Sequence, residues 1–138
     1  MIDSLDSKLL RTTDANLNRL REGLRVVEDV CRYIFDDAVL SLKAKNLRHL
    51  SRAENYSELL NARDIINDCS KSTTDSELNR DGIDSILIAN FKRAQESARV
   101  LEEIMKIKDP KNSQKFKSIR YGIYDLEKEV MNKTSNSK

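Results

Sequence analysis

Two arginines set in the same local pattern are the residues of this sequence best suited to chemistry. Arg19 and Arg93 each follow an asparagine by three positions (Asn16, Asn90) and precede a glutamate by three (Glu22, Glu96). A guanidinium presents a planar fork of donors that matches phosphate or carboxylate, and an asparagine amide adds a donor and an acceptor beside it. On a helix, where each residue advances about 100°, Asn16, Arg19 and Gly23 share the arc of Leu20, Val27, Val30 and Ile34. Asn90, Arg93 and Ser97 repeat that placement, so both arginines are expected to face the core. A buried arginine must have its charge paired and its donors used. One reading is an architectural pairing with Glu22, Glu96 and loop carboxylates. The other is a pocket for an anionic small molecule, with the small residue four positions after each arginine leaving room beside the guanidinium. Glu22 and Glu96 sit at the edge of the arc, placed to orient their arginine or act as a base, or simply to pair on the helix surface. Arg25, Glu28, Arg99 and Glu102 fall on the opposite side and read as a solvated, salt-bridged face, with a subunit interface as the rival.

A second cluster lies in LLNARDIINDCS, Leu59 to Ser70. Arg63 at the end of a short helix, with Asp64 and Asp68 spaced by four, suits phosphate and Mg²⁺, which takes one or two carboxylates together with substrate phosphates and waters. Aspartates in loops also cap and make turns. His49 is the only histidine, which excludes histidine-based metal clusters. Cys31 lies on an apolar arc and Cys69 in a loop, without a CxxC or metal spacing. Walker A and GxGxxG patterns are absent, and three scattered glycines build no phosphate-cradling loop. A nucleotide, if bound, must be held by side chains and helix N-termini.

The elements that position these residues are helical. With 38% hydrophobic and 35% charged residues, three Gly and one Pro, the 138-residue chain suits long helices with solvated faces rather than strands and turns. Thr13 and Asp14 offer N-caps for a first helix running to about Phe35, and Asp36 and Asp37 cap a second that ends near Asn55. Ser57 to Arg63 reads as a short third helix and Asp64 to Asp81 as an irregular stretch. A fourth helix follows Gly82 to about Lys106, and Asp109 with Pro110 opens a fifth. Ala15 to Val30 (ANLNRLREGLRVVEDV) returns 74 positions later as Ala89 to Ile104 (ANFKRAQESARVLEEI), and Leu47-Arg48-His49 is echoed by Ile119-Arg120-Tyr121. Two amphipathic hairpins that cannot bury their faces alone are expected to form an all-α, pseudo-two-fold four-helix bundle with one short connecting helix. This gives a single domain over 1–131, with repeats at about 13–55 and 82–131, a connecting helix and loop at 56–81, and a polar tail at 132–138.

Lys and Arg number 25 against 23 acidic residues, a net charge of +2. No global basic field recruits nucleic acid or a membrane surface, so an anionic ligand must be bound locally. No targeting or membrane segment is visible, and a cytoplasmic location with a two-fold homodimer is expected.

The stretches DANLNRLREGLRVVED, LLNARDIIND, the ExxR pair of Glu77 and Arg80, and ANFKRAQESARVLEEIMK resemble the helical domain found fused ahead of thiamine-phosphate synthase, over about Thr13 to Tyr121. That family is described as an alternative hydroxymethylpyrimidine phosphate kinase, unrelated to the ribokinase-like enzyme of the same reaction. One departure is that Asp68-Cys69-Ser70 stands where the family pattern has Asp-Val-Gly. The resemblance implies ATP and Mg²⁺ as co-substrate and cofactor, a pyrimidine phosphate as acceptor and thiamine-phosphate synthase as a partner. Physical reasoning adds an expected division of labour: phosphate neutralisation by Arg19, Arg93 and Arg63, magnesium on Asp64 and Asp68, substrate amides from Asn16 and Asn90, and arginine positioning by Glu22 and Glu96. Two other classes stay open: a non-catalytic helical module that dimerises or regulates thiamine-phosphate synthase, and a small helical enzyme acting on another anionic metabolite without ATP.

Overall fold

The computed structural model describes residues 4–74 and 78–136, and Glu77 lies outside them. Among the described residues the chain is all-α, with five helices and no strand. Helix α1 (Leu5–Asp29) starts at Ser4, whose Oγ accepts the Ser7 N–H at 3.2 Å, and not at Thr13 or Asp14. The Thr12 and Thr13 hydroxyls instead donate to the Lys8 and Leu9 carbonyls at 2.8 Å, bonding back into the helix rather than capping it. The earlier start places Asp14 in mid-helix, where it is buried.

Helix α1 passes into a π turn (Val30–Ile34), in which the Phe35 N–H reaches the Val30 carbonyl at 3.0 Å. Asp36, at φ 51°, then reverses the chain. Helix α2 (Ala38–Leu50) is capped by Asp37, whose Oδ1 accepts the Leu40 N–H at 2.9 Å. It ends before the expected Asn55, because the buried Ser51 closes it by donating its hydroxyl to the Leu47 carbonyl at 2.8 Å. Helix α3 (Tyr56–Ala62) is short. Helix α4 (Ile83–Lys108) follows Gly82, and α5 (Pro110–Asn136) opens on proline, whose missing N–H needs no partner there. Helix α5 runs on through the expected polar tail: Thr134 is buried, and Lys133 reaches the Asp37 carboxylate at 2.7 Å.

Helices α1, α2, α4 and α5 form the bundle: α1 packs on α2 and α4, and α5 on α2 and α4, while α3 lies against α1. Leu20, Leu24, Leu87, Phe91, Leu101, Ile123 and Leu126 fill its centre, each such burial worth about 1.5–3 kcal/mol. Gly23 sets how closely α1 and α4 approach, since a Cβ there would stand 3.0 Å from the Asn90 carbonyl oxygen. The room it leaves is used by helix packing, not by a ligand.

Two residues expected on a solvated face are core residues. Glu28 and Glu102 are 3% and 4% exposed. Arg48 Nε donates to Glu28 at 2.8 Å, and Arg120 Nε to Glu102 at the same distance. Each hairpin is thus clamped by an ion pair between its two helices, at positions the repeat relates. Their partners on the wheel, Arg25 and Arg99, do stay half-exposed, on Asp29 at 3.4 Å and on Glu102 and Glu103 at 3.3 and 3.1 Å. The wheel misplaced the glutamates because α2 and α5 cover a second face of α1 and α4.

Candidate anion-binding site

The repeated asparagines are fixed first. Asn16 Nδ2 donates to the Thr12 carbonyl and Asn90 Nδ2 to the Ile86 carbonyl, both at 2.9 Å; Asn16 lines the grooves described below, whereas Asn90 lines neither. Asn16 is buried and Asn90 half-buried. One turn further on, Arg19 and Arg93 are exposed, in contrast to the expected burial. Their long stems carry the guanidinium past the apolar arc to the rim, as arginine side chains commonly do. Neither makes an ion pair among the described residues. The architectural pairing with Glu22, Glu96 or a loop carboxylate is therefore not formed.

Asn16, Arg19, Lys92, Arg93, Glu96 and Ser97 line an open groove of about 450 Å³ between α1 and α4. Lys92 is turned away by Glu127 of α5 at 3.1 Å, and Ser97 donates its hydroxyl to the Arg93 carbonyl at 2.7 Å. What remains is two unpaired guanidiniums with one carboxylate, Glu96, between the same walls. Glu22 is exposed and lines no part of this groove.

A second groove, about 620 Å³, runs between α1 and the segment after α3. Its walls include Lys8, Arg11, Asn16, Arg19, Arg63, Asp64, Asp68 and Cys69. Arg63 is not a free phosphate ligand. Its Nε and Nη2 donate to the two oxygens of Asp14 at 2.8 Å each, and this pairing holds the guanidinium firmly charged. Asp14, mistaken for a cap from sequence, is the anchor of the segment. The signal that could have found it is the register of Leu10, Leu17, Leu20 and Leu24, which extends the helical period upstream and places Asp14 inside. Arg11 Nη2 adds a bond to the Asp64 carbonyl at 2.8 Å, tying the segment down, and its charge lies close enough to help lower the pKa of the Asp64 carboxyl.

Asp64 and Asp68 shape turns. Asp64 accepts the Asn67 N–H at 3.1 Å and its Nδ2 at 2.7 Å, and these bonds hold its carboxyl below the usual carboxylate range. Asp68 accepts the Ser70 N–H on one oxygen at 3.0 Å. Among the described residues no group of three metal-ligating side chains occurs. Both aspartates are acceptors on one groove wall with lone pairs remaining, which fits Mg²⁺ as a site completed by phosphate oxygens and water rather than a closed protein cage. Cys31 is buried, and burial pushes its thiol up to about 11, so it is no nucleophile. Cys69 is exposed. His49 is half-buried beside Arg52, Arg48 and Lys45, and burial together with those cations lowers its pKa. No helix among the described residues is long and apolar enough to cross a membrane.

Fold and site define a class: an all-α bundle of two helical hairpins in which two arginines, without an ion pair among the described residues, line one open groove. Comparison with known proteins gives the family. Residues 11–129 match the model of the ThiD2 family, and the chain belongs to it. It is 41% identical over 121 residues to a thiamine-phosphate synthase of Thermosynechococcus vestitus, covering 87% of this chain and 34% of that protein. Similar relatives of the same name are found in Nostoc punctiforme (39% identical, 94% of this chain, 37% of that protein) and Synechocystis sp. (40%, 86% and 35%). The chain thus spans little more than a third of the length of these curated relatives. No solved structure matches it.

Proposed function

We propose that the chain serves thiamine biosynthesis as a phosphomethylpyrimidine kinase, transferring the γ-phosphoryl group of ATP to the phosphate of hydroxymethylpyrimidine phosphate. The observation that carries this reading is the pair Arg19 and Arg93, unpaired among the described residues and lining one groove in a ThiD2-family chain. An exposed arginine that makes no ion pair contributes little to folding, so its recurrence at equivalent positions of a repeat has a better account in ligand binding. The acceptor is already an ionised phosphate, so no strong general base is needed; positioning and charge neutralisation carry such a transfer. Arg19 and Arg93 neutralise phosphate charge, and the amide oxygen of Asn16 in the same groove can accept from an aminopyrimidine. Asp64 and Asp68 would hold magnesium together with substrate phosphates and water, and it would supply further charge neutralisation. Thiamine-phosphate synthase is the partner that consumes the product, and self-association as a two-fold dimer is proposed with it, which light scattering showing only a 15.9 kDa particle would refute.

The test is turnover with hydroxymethylpyrimidine phosphate, ATP and Mg²⁺, followed by ³¹P NMR for a pyrimidine diphosphate. Formation of that diphosphate by the wild type and its loss in Arg19→Ala is the expected result; no diphosphate from folded wild-type protein refutes the reading. The second reading, a non-catalytic module, is favoured by the names of the relatives and the small share of them that this chain spans. It predicts no turnover and a change in the rate of added thiamine-phosphate synthase.

A further inference from the structure

The two grooves meet, and they share only two residues, Asn16 and Arg19. They are chemically unlike. The α1/α4 groove is lined by Arg19 from one helix and Arg93 from the other, which suits one anion held between them. The groove beside the connecting segment carries a row of cations along one stripe of α1: Lys8, Arg11 and Arg19. At 1.5 Å rise per residue this row is about 16 Å long, too long for a single phosphate and suited to a chain of phosphates. The same groove holds Asp64 and Asp68, whose negative charge opposes a bare anion and favours one that arrives with a divalent cation. Ile65, 71% exposed, stands on its wall as an apolar surface for a heterocycle.

We propose that these grooves are two subsites, the nucleoside triphosphate lying along Lys8, Arg11 and Arg19 and the monophosphate acceptor between Arg19 and Arg93, so that Arg19 marks the point of transfer. The proposal rests on the kinase reading and assigns its two ligands. An oxygen of the acceptor phosphate attacks the γ-phosphorus and forms the new P–O bond there. The bond from that phosphorus to the β,γ-bridging oxygen breaks, and ADP leaves with the electron pair. No proton moves, because the attacking oxygen is already ionised. Arg19, reached from both grooves, is the one guanidinium able to touch the group in passage. Arg63 takes no part, since Asp14 holds it.

The experiment is calorimetric binding of ATP with Mg²⁺ and, separately, of hydroxymethylpyrimidine phosphate, to the wild type and to Arg11→Ala, Arg93→Ala and Arg19→Ala, with steady-state kinetics on the same proteins. A charge-assisted phosphate contact is worth roughly tenfold or more in affinity. Arg11→Ala should weaken ATP by about that factor and leave the acceptor unchanged. Arg93→Ala should do the reverse, and Arg19→Ala should weaken both and lower kcat most. ATP weakened by Arg93→Ala but not by Arg11→Ala, with turnover intact, overturns the assignment and spares the kinase. The expected split in binding from a wild type without turnover sustains the two subsites and ends the kinase reading. A wild type that binds neither ligand overturns both. Lys8→Ala, far from Arg93 and exposed, repeats the ATP arm in a variant with no packing to lose.

Discussion

Helices α1 and α4 carry the same motif, yet only α1 shares a groove with the segment that follows α3. The difference lies at one pair of equivalent positions. On α1, Asp14 grips Arg63 with two 2.8 Å bonds and so fastens the segment that follows α3. On α4 the corresponding residue is Ile88, which is 45% exposed and can grip no cation. The two similar sequence patterns thus carry arginine, asparagine and the buried glutamate twice, while the segment after α3 adds a wall beside α1. Two identical hairpins would offer two identical half-sites. On the proposed kinase reading a transfer between unlike ligands needs unlike ones, and the connecting segment would provide that asymmetry.

The comparison is broken or sharpened most strongly at Arg19. If it acts on the transferring group, Arg19→Ala should lower turnover by about 10³-fold, while stability stays within about 0.5 kcal/mol of wild type, because the side chain is exposed and makes no ion pair. Rates and thermal melts on one preparation decide this: a strongly destabilised variant would return Arg19 to an architectural role. Arg19→Lys keeps the charge and loses the fork, and should recover only part of the rate. Next come the clamps that the halves have in common. Arg48→Ala and Arg120→Ala each strand a buried glutamate and should each lower unfolding free energy by about 3–5 kcal/mol in urea titrations. The Arg120 variant should suffer less, since Glu102 retains Arg99 at 3.3 Å. Equal losses would show that this extra contact contributes nothing.

Asp14→Asn tests what the halves do not share. Its partner Arg63 is a third exposed, so a loss of about 1–2 kcal/mol is expected, together with faster proteolysis within residues 64–74 and weaker ATP binding. Unchanged proteolysis would show that other contacts hold the segment. The smallest effect concerns acid. Asp37 is held below its usual 3.8 by the Leu40 N–H first and by Lys133 second. Its contribution is complete above the unfolded value and is lost as pH falls through the lower folded one. The difference in Tm between wild type and Asp37→Asn should therefore be constant near neutrality and shrink below about pH 4. A difference independent of pH would show that the carboxylate charge contributes nothing to this cap.

Helix content, the two hairpins' order and the caps at Asp37 and Pro110 follow from local chemistry, which acts over three or four residues and is written in the chain. So does the choice of Arg19 and Arg93 as the residues to watch, because their types and the repeat are visible without a fold. The start of α1 was lost because a threonine hydroxyl can cap a helix or bond back into one, and local sequence does not separate the two. Glu28 and Glu102 were misread because a helical wheel has one apolar face, whereas each of these helices is covered on two.

What only the tertiary structure decided is which charges meet. Arg63 and Asp14 are 49 residues apart, and Arg48 and Glu28 are 20 apart. Nothing in a local pattern ranks these pairings above Arg19 with Glu22 or Arg93 with Glu96. The sequence by itself determined that the chain holds two arginines in a repeated setting. The packing of α2, α3 and α5 determined that Glu28, Glu102 and Asp14 hold Arg48, Arg120 and Arg63, while Arg19 and Arg93 make no ion pair among the described residues. The physical reason is that Coulomb attraction is short-ranged in salt water and strong only between groups the fold brings within contact and shields from solvent.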